Sequence, residues 1–132
     1  MNFNLSFLVI YLKVCTSGGI SCLARALAKF CNIEDVTEPA LCTLRHCTVR
    51  HPLAHQAQNE LRFAHPIILA LLATGRPPIV KASLGLLRNC SLSNENLRLI
   101  LNVCLIIFEI LDKNYFNVFS LTIPSSPEML MT

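Results

Sequence analysis

Arg45-His46 and Arg88-Asn89 are the residue pairs in this sequence best equipped for recognition chemistry. A guanidinium presents a planar fork of donors that fits a carboxylate or a phosphate, and a side-chain amide can pair with both the C=O and the N–H of an extended backbone. Each pair closes the same short motif. Leu41-Cys-Thr-Leu-Arg-His-Cys-Thr48 returns as Leu84-Gly-Leu-Leu-Arg-Asn-Cys-Ser91, in register at an offset of 43 residues. A second set, Cys42, His46, Cys47, His51 and His55, gathers metal-ligand types, with Cys42/His46 and Cys47/His51 each at i, i+4 on one helix. The two pairs project about 100° apart, and Pro52 interrupts the helix before His55, so one tetrahedral site does not close. The same residues lack the third orienting group and the glycine-bearing oxyanion loop of a Cys-His hydrolase. The expectation is therefore no catalytic residue, no metal and no cofactor, with Arg45, His46, Arg88 and Asn89 as candidate binding residues.

These pairs must be held by helices. Gly18-Gly19 ends whatever precedes it, and Ile20, Leu23 and Leu27 then recur at helical spacing to about Cys31. Thr37-Glu38-Pro39 reads as an N-cap and first turn, opening a helix from about Glu38 to Arg50. Pro52 ends it. Leu53, Ala57 and Leu61 supply the stripe of a short helix to about Ala64, Pro66 starts another through Leu72, and Gly75-Arg-Pro-Pro78 precedes a last one over Ile79 to Leu92. No segment alternates with period 2 over a useful length, so the predicted class is all-α. Leu41, Leu44, Leu84 and Leu87 are expected in the core.

A repeat of roughly 40 to 47 residues is the signature of armadillo and HEAT arrays, whose helical units cannot bury their apolar faces alone and stack on one another. The composition agrees: 53% of the 132 residues are apolar and 14% charged, against about 25% charged in an ordinary soluble domain. The formal charge of +3 is carried by scattered Lys and Arg without interleaved aromatics, which argues against direct nucleic-acid binding. Seven cysteines with no CxxC pair read as buried reduced thiols rather than a disulfide framework. Leu5 to Leu12 is a poor signal peptide, and Leu99 to Leu111, interrupted by Asn102 and Glu109, is too short to cross a membrane, so no transmembrane segment is expected.

Several stretches resemble the late armadillo repeats of the β-catenin family. They are Val14-Cys15, Gly18-Gly19-Ile20, Glu34-Asp35-Val36-Thr37-Glu38-Pro39-Ala40-Leu41-Cys42, Leu44-Arg45-His46, Arg50-His51, Ala57-Gln58-Asn59, Leu61-Arg62, Ile67 to Leu72 and Lys81-Ala82-Ser83-Leu84-Gly85-Leu86-Leu87-Arg88-Asn89. The likeness covers about Val14 to Asn96, and the Glu-Asp-x-Thr-Glu-Pro-Ala stretch is more specific than a general armadillo pattern. It implies a right-handed superhelix of about two to three repeats, whose third helices line a groove for long acidic peptides. The implied partners are cadherin cytoplasmic tails, T-cell-factor-type transcription factors and adenomatous polyposis coli-type scaffolds. The implied setting is cell–cell junctions, cytoplasm and nucleus, with roles in adhesion, Wnt signalling and transcription coactivation. Carried over by position, Arg45 and His46 sit on one third helix and Arg88 and Asn89 on the next.

The organisation expected from the match is a non-matching apolar segment at 1–13, repeats over 14–101 (about 14–64 and 65–101), and a divergent, partly disordered tail at 102–132. His65-Pro66 stands where the family carries Gly at the repeat junction, so the chain is expected to turn differently there. A match confined to the middle of a chain is expected of an incomplete or mis-spliced product, so a non-functional or poorly folded fragment is one alternative. A generic armadillo or HEAT adaptor of the importin kind is another, but it would need tandem Trp and Asn pairs, and the sequence has no Trp.

Overall fold

The computed structural model describes the backbone of residues 5–122 and the side chains of residues 6–110. The elements are α1 (Leu5–Thr16), α2 (Gly19–Lys29), α3 (Glu34–Cys47), α4 (Ala54–Glu60), α5 (His65–Leu71), α6 (Pro77–Cys90) and α7 (Asn94–Thr122), with short 3-10 turns at Arg62–Ala64 and Leu72–Thr74. Strands are absent among the described residues, and the fold is an all-α solenoid of the armadillo kind. α1, α2 and α3 form one triplet and α4, α5 and α6 a second, with α3 against α6 as the most extensive contact between helices.

Local chemistry sets the breaks. Between α1 and α2 the chain bends by 78°. Gly18 takes φ +79 there, and a Cβ at Gly19 would lie 2.8 Å from the carbonyl oxygen of Val14, so both glycines are required for the bend. α6 starts on Pro77-Pro78, where the missing N–H groups would have had no helical partner. Ser93 caps α7, its hydroxyl accepting from the Asn96 N–H at 3.1 Å.

α3 begins earlier than its sequence predicts. Ile33 precedes the first turn, Glu34 and Asp35 occupy it, and Thr37 lies inside the helix, fully buried, with its hydroxyl donating to the Phe30 carbonyl at 2.8 Å. Two acidic residues at a helix N-terminus complement its partial positive charge, which an N-cap at Thr37 would have forfeited. α3 also ends earlier, at Cys47, because Arg50 is left-handed at φ +64 and starts the turn toward α4. The helix predicted over Leu53 to Ala64 divides into α4 and a 3-10 turn.

His65 is helical, at φ −51 and ψ −44, so the Arg62–Ala64 turn runs straight into α5 and the chain has no break at 64/65. His65 is fully buried, and among the described residues neither ring nitrogen has a hydrogen-bond partner. Burial first, and the Arg62 charge second, lower its pKa, so the ring is neutral at pH 7.

Both ends of the described chain are helical. The apolar segment before residue 14 is part of α1, which packs on both α2 and α3. α7 is continuous through 101/102, where the divergent tail was expected to begin. The disorder expected of the last dozen residues lies, from residue 123 on, outside the described residues. Asn96 ties α7 to the second triplet. It is fully buried, accepts from Arg62 Nε at 2.6 Å and donates to Asn59 Oδ1 at 2.9 Å, while Arg62 also pairs with Glu95 at 3.2 Å. Among the described residues no single helix is long and apolar enough to cross a membrane.

The core runs through both triplets, with Ile20, Leu27, Leu41, Leu44, Leu61, Ile68, Ile79 and Leu86 all fully buried. Leu87 joins it, but Leu84 does not: it is 53% exposed. The cause is its line on the helix. Glu34, Leu41 and Thr48 lie at i, i+7 and i+14 down the side of α3 that meets α6; Glu34 pairs with Arg76 at 3.2 Å, and Thr48 accepts from Asn89 at 3.2 Å. The equivalent line on α6 is Pro77, Leu84 and Ser91, and the first two are exposed.

Candidate binding cleft

Arg45 and His46 occupy the last turn of α3, and Arg88 and Asn89 the last turn of α6. Because the two helices run side by side in register, all four residues line one open cleft of about 420 Å³, together with Val49, Arg50, Gly85 and Leu92. Among the described residues three guanidiniums and no carboxylate line it, so their field favours an anionic occupant.

Gly85 makes the arrangement possible. A Cβ at this position would lie 2.7 Å from Arg45 Cδ, so the aliphatic stem of Arg45 rests directly on the α6 backbone. The motif copy on α3 carries Cys42 at the corresponding position. Arg50, in its left-handed conformation, adds a third cation from the turn after α3. Sequence reasoning missed Arg50 as a cleft residue because it was placed at the end of the helix rather than in the turn.

Asn89 is in the cleft but is not free to pair in both senses. Its Nδ2 donates to the Arg45 carbonyl at 2.9 Å and to the Thr48 hydroxyl at 3.2 Å. Both amide hydrogens thus satisfy the end of α3, whose last carbonyls have no partner within the helix, and only Oδ1 is left to accept from a ligand N–H. Gln58 plays a parallel part, donating to the Thr48 carbonyl at 2.8 Å from a buried position.

His46 is exposed at the cleft rim, and its ring stacks on Tyr11 of α1, with centroids 5.4 Å apart and planes 10° from parallel. Partial burial first, then the neighbouring Arg45 charge, lower its pKa. His51, Cys47 and Cys90 do structural work. His51 hydrogen-bonds the Cys47 carbonyl through Nε2 and accepts the Leu53 N–H through Nδ1 at 3.1 Å, shaping the turn. Cys47 is fully buried beside Cys15, and burial pushes its thiol up to about 12. Cys90 is likewise pushed up to about 12 by burial. Neither forms a thiolate near neutral pH, which removes them as nucleophiles.

No family model matches the chain. It is 55% identical over 86 residues to the beta-catenin-like protein hmp-2 of Caenorhabditis elegans, covering 64% of this chain and 13% of that protein. Over that stretch the chain is β-catenin-like. It is also 44% identical over 86 residues to catenin beta of Urechis caupo and 43% identical over 81 residues to catenin beta of Tripneustes gratilla, covering 63% and 59% of this chain and 10% of each relative. The chain thus spans about a tenth of the length of these relatives. Among solved structures it superposes on a chain from work on a conserved phosphorylation switch controlling the interaction between cadherin and beta-catenin, with a TM-score of 0.65 and 53% identity. That superposition covers 66% of this chain and 17% of the solved one.

Proposed function

We propose that this chain is a non-enzymatic adaptor segment of the β-catenin kind that holds an extended acidic peptide in the cleft between α3 and α6. The observation that carries the reading is the convergence of Arg45, Arg50 and Arg88 on one cleft that no carboxylate lines among the described residues. Guanidinium forks in such a groove set the register and encounter rate of an acidic strand more than its raw affinity. The first partner to consider is a cadherin cytoplasmic tail, because the solved neighbour concerns the interaction between cadherin and beta-catenin. T-cell-factor-type and adenomatous polyposis coli-type ligands carry the same acidic, extended chemistry and form the finer part of the proposal. So do a Wnt-signalling or transcription coactivator role and a distribution over junctions, cytoplasm and nucleus.

The test is fluorescence anisotropy with a labelled acidic cadherin-tail peptide. Weak binding that falls as salt rises is expected, and its loss in an Arg45→Ala, Arg88→Ala double variant. Equal affinity for parent and variant sinks the cleft as the binding site.

A second reading has its own observation. Leu84 on α6 and Leu101, Leu105 and Phe108 on α7 are exposed, the last at 70%, so apolar surface that a further repeat would cover is open. On this reading the segment is a poorly folding remnant. A cooperative helical melt by circular dichroism excludes it, and a broad or absent transition favours it.

A further inference from the structure

The cleft does not stop at His46. Residues 7 and 11 lie one helical turn apart on α1, and their rings stack with centroids 6.4 Å apart and planes 19° from parallel. Tyr11 stacks in turn on His46, which is itself a cleft residue. Phe7, Tyr11 and His46 thus form a three-ring ladder whose inner ring, His46, lines the cleft. Phe7, at its outer end, is 53% exposed. An isolated exposed aromatic is unremarkable in a folded protein. This one continues a row of parallel rings whose inner end joins a cationic cleft, and it lies in the part of the sequence that resembles no armadillo repeat.

We propose that this ladder is the apolar end of the peptide site, so that the preferred occupant is an extended acidic peptide carrying an aromatic side chain a few residues from its carboxylates. The inference rests on the acidic-peptide reading of the cleft. Two ring spacings of 6.4 Å and 5.4 Å, followed along an extended chain that advances roughly 3.4 Å per residue, separate the aromatic from the nearest carboxylate by about three to five residues. The aromatic continues the stack on Phe7 in the offset geometry such rings adopt, while the carboxylates meet Arg45 and Arg88. The two ends recognise different chemistry, so neither an acidic strand alone nor an apolar one alone uses the whole site.

Two labelled peptides measured by anisotropy against the full chain decide it: one an Asp/Glu-rich strand, the other the same strand with a Phe four residues from its first carboxylate. The aromatic peptide is expected to bind about three- to tenfold tighter. Phe7→Ser should erase that gain and leave the plain acidic peptide unchanged, with the helical circular dichroism of the variant matched to the parent. Should Phe7→Ser not fold, Phe7→Leu, which keeps the apolar bulk but not the stack, carries the same expectation. Equal affinity for the two peptides, or a gain that survives loss of the ring, overturns the ladder while leaving the acidic cleft standing. Failure of both peptides to bind overturns the ladder and the cleft reading together.

Discussion

The two copies of the Leu-x-x-Leu-Arg motif share sequence but not surroundings. On α3 the line Glu34, Leu41, Thr48 is covered by α6, while the matching line on α6 is open at Pro77 and Leu84. A repeat position is therefore a core position only when the next repeat is there to cover it. The same leucine means packing in one copy and exposed stacking surface in the other.

Leu41→Ala against Leu84→Ala gives the largest test of that contrast. Removing a fully buried leucine costs its transfer free energy and leaves a cavity, so Leu41→Ala should lower stability by about 2–5 kcal/mol. Leu84→Ala, at an exposed site, should stay within about 0.5 kcal/mol. Thermal or urea unfolding of both variants checks this. Similar losses would mean that Leu84 is covered in solution, and the contrast between copies would collapse.

The next test compares what the copies do with their sixth motif residue. Asn89 donates twice into the end of α3, whereas its counterpart His46 makes a ring stack on Tyr11. Asn89→Ala should therefore cost about 1–2 kcal/mol, and His46→Ala less than about 1 kcal/mol, in the same unfolding experiment. A larger loss at His46 would reverse the assignment of which copy is structurally committed.

These contrasts mark how far the sequence could be read. The helices were legible because glycines, prolines and a 3.6-residue period mark them locally, and the 43-residue echo aligned Arg45 with Arg88 before any coordinates. Leu84 was not legible, since a repeat pattern records what a position faces in a long array and not whether that neighbour is present. Asn89 was read as a ligand group because its chemistry permits it; that both hydrogens are spent on α3 depends on a contact 44 residues away in sequence. Tyr11 and Phe7 were missed for a related reason. They lie outside the family resemblance, and their role arises only from the fold of α1 against α3.

The helices that lead into the two copies also differ, and pH separates them. α2 enters through the flexible Gly18-Gly19 pair, whereas α5 enters through a buried His65 with two unpartnered nitrogens. The folded pKa of His65 lies below its unfolded value near 6.5, so the unfolded chain binds the extra proton. Its contribution is fully present above about pH 6.5 and is lost as pH falls through that value toward the folded pKa. His65→Leu should raise stability at pH 7 by about 1 kcal/mol, because it removes a buried polar ring without partners. It should also flatten the acid slope of a melting-temperature profile between about pH 5.5 and 6.5, the window just below the unfolded value. An unchanged slope would place the acid sensitivity elsewhere.

The smallest expected effect concerns binding, and it asks whether the copies differ in the cleft itself. His46 can titrate and Asn89 cannot. With its pKa lowered by burial and by Arg45, His46 is neutral at pH 7, and acidification through the lowered value adds a fourth cation to a cleft that already holds three. The ligand's carboxylates remain ionised down to about pH 5. The acidic peptide should therefore bind about two- to fivefold tighter once the pH has fallen through that lowered value than at pH 7.5, by anisotropy at fixed ionic strength across a pH series. His46→Asn, which gives the first copy the residue of the second, should remove that dependence and leave affinity at pH 7.5 nearly unchanged. A gain at low pH that persists in His46→Asn would assign it to the peptide or to another histidine, and the two copies would then be electrostatically alike.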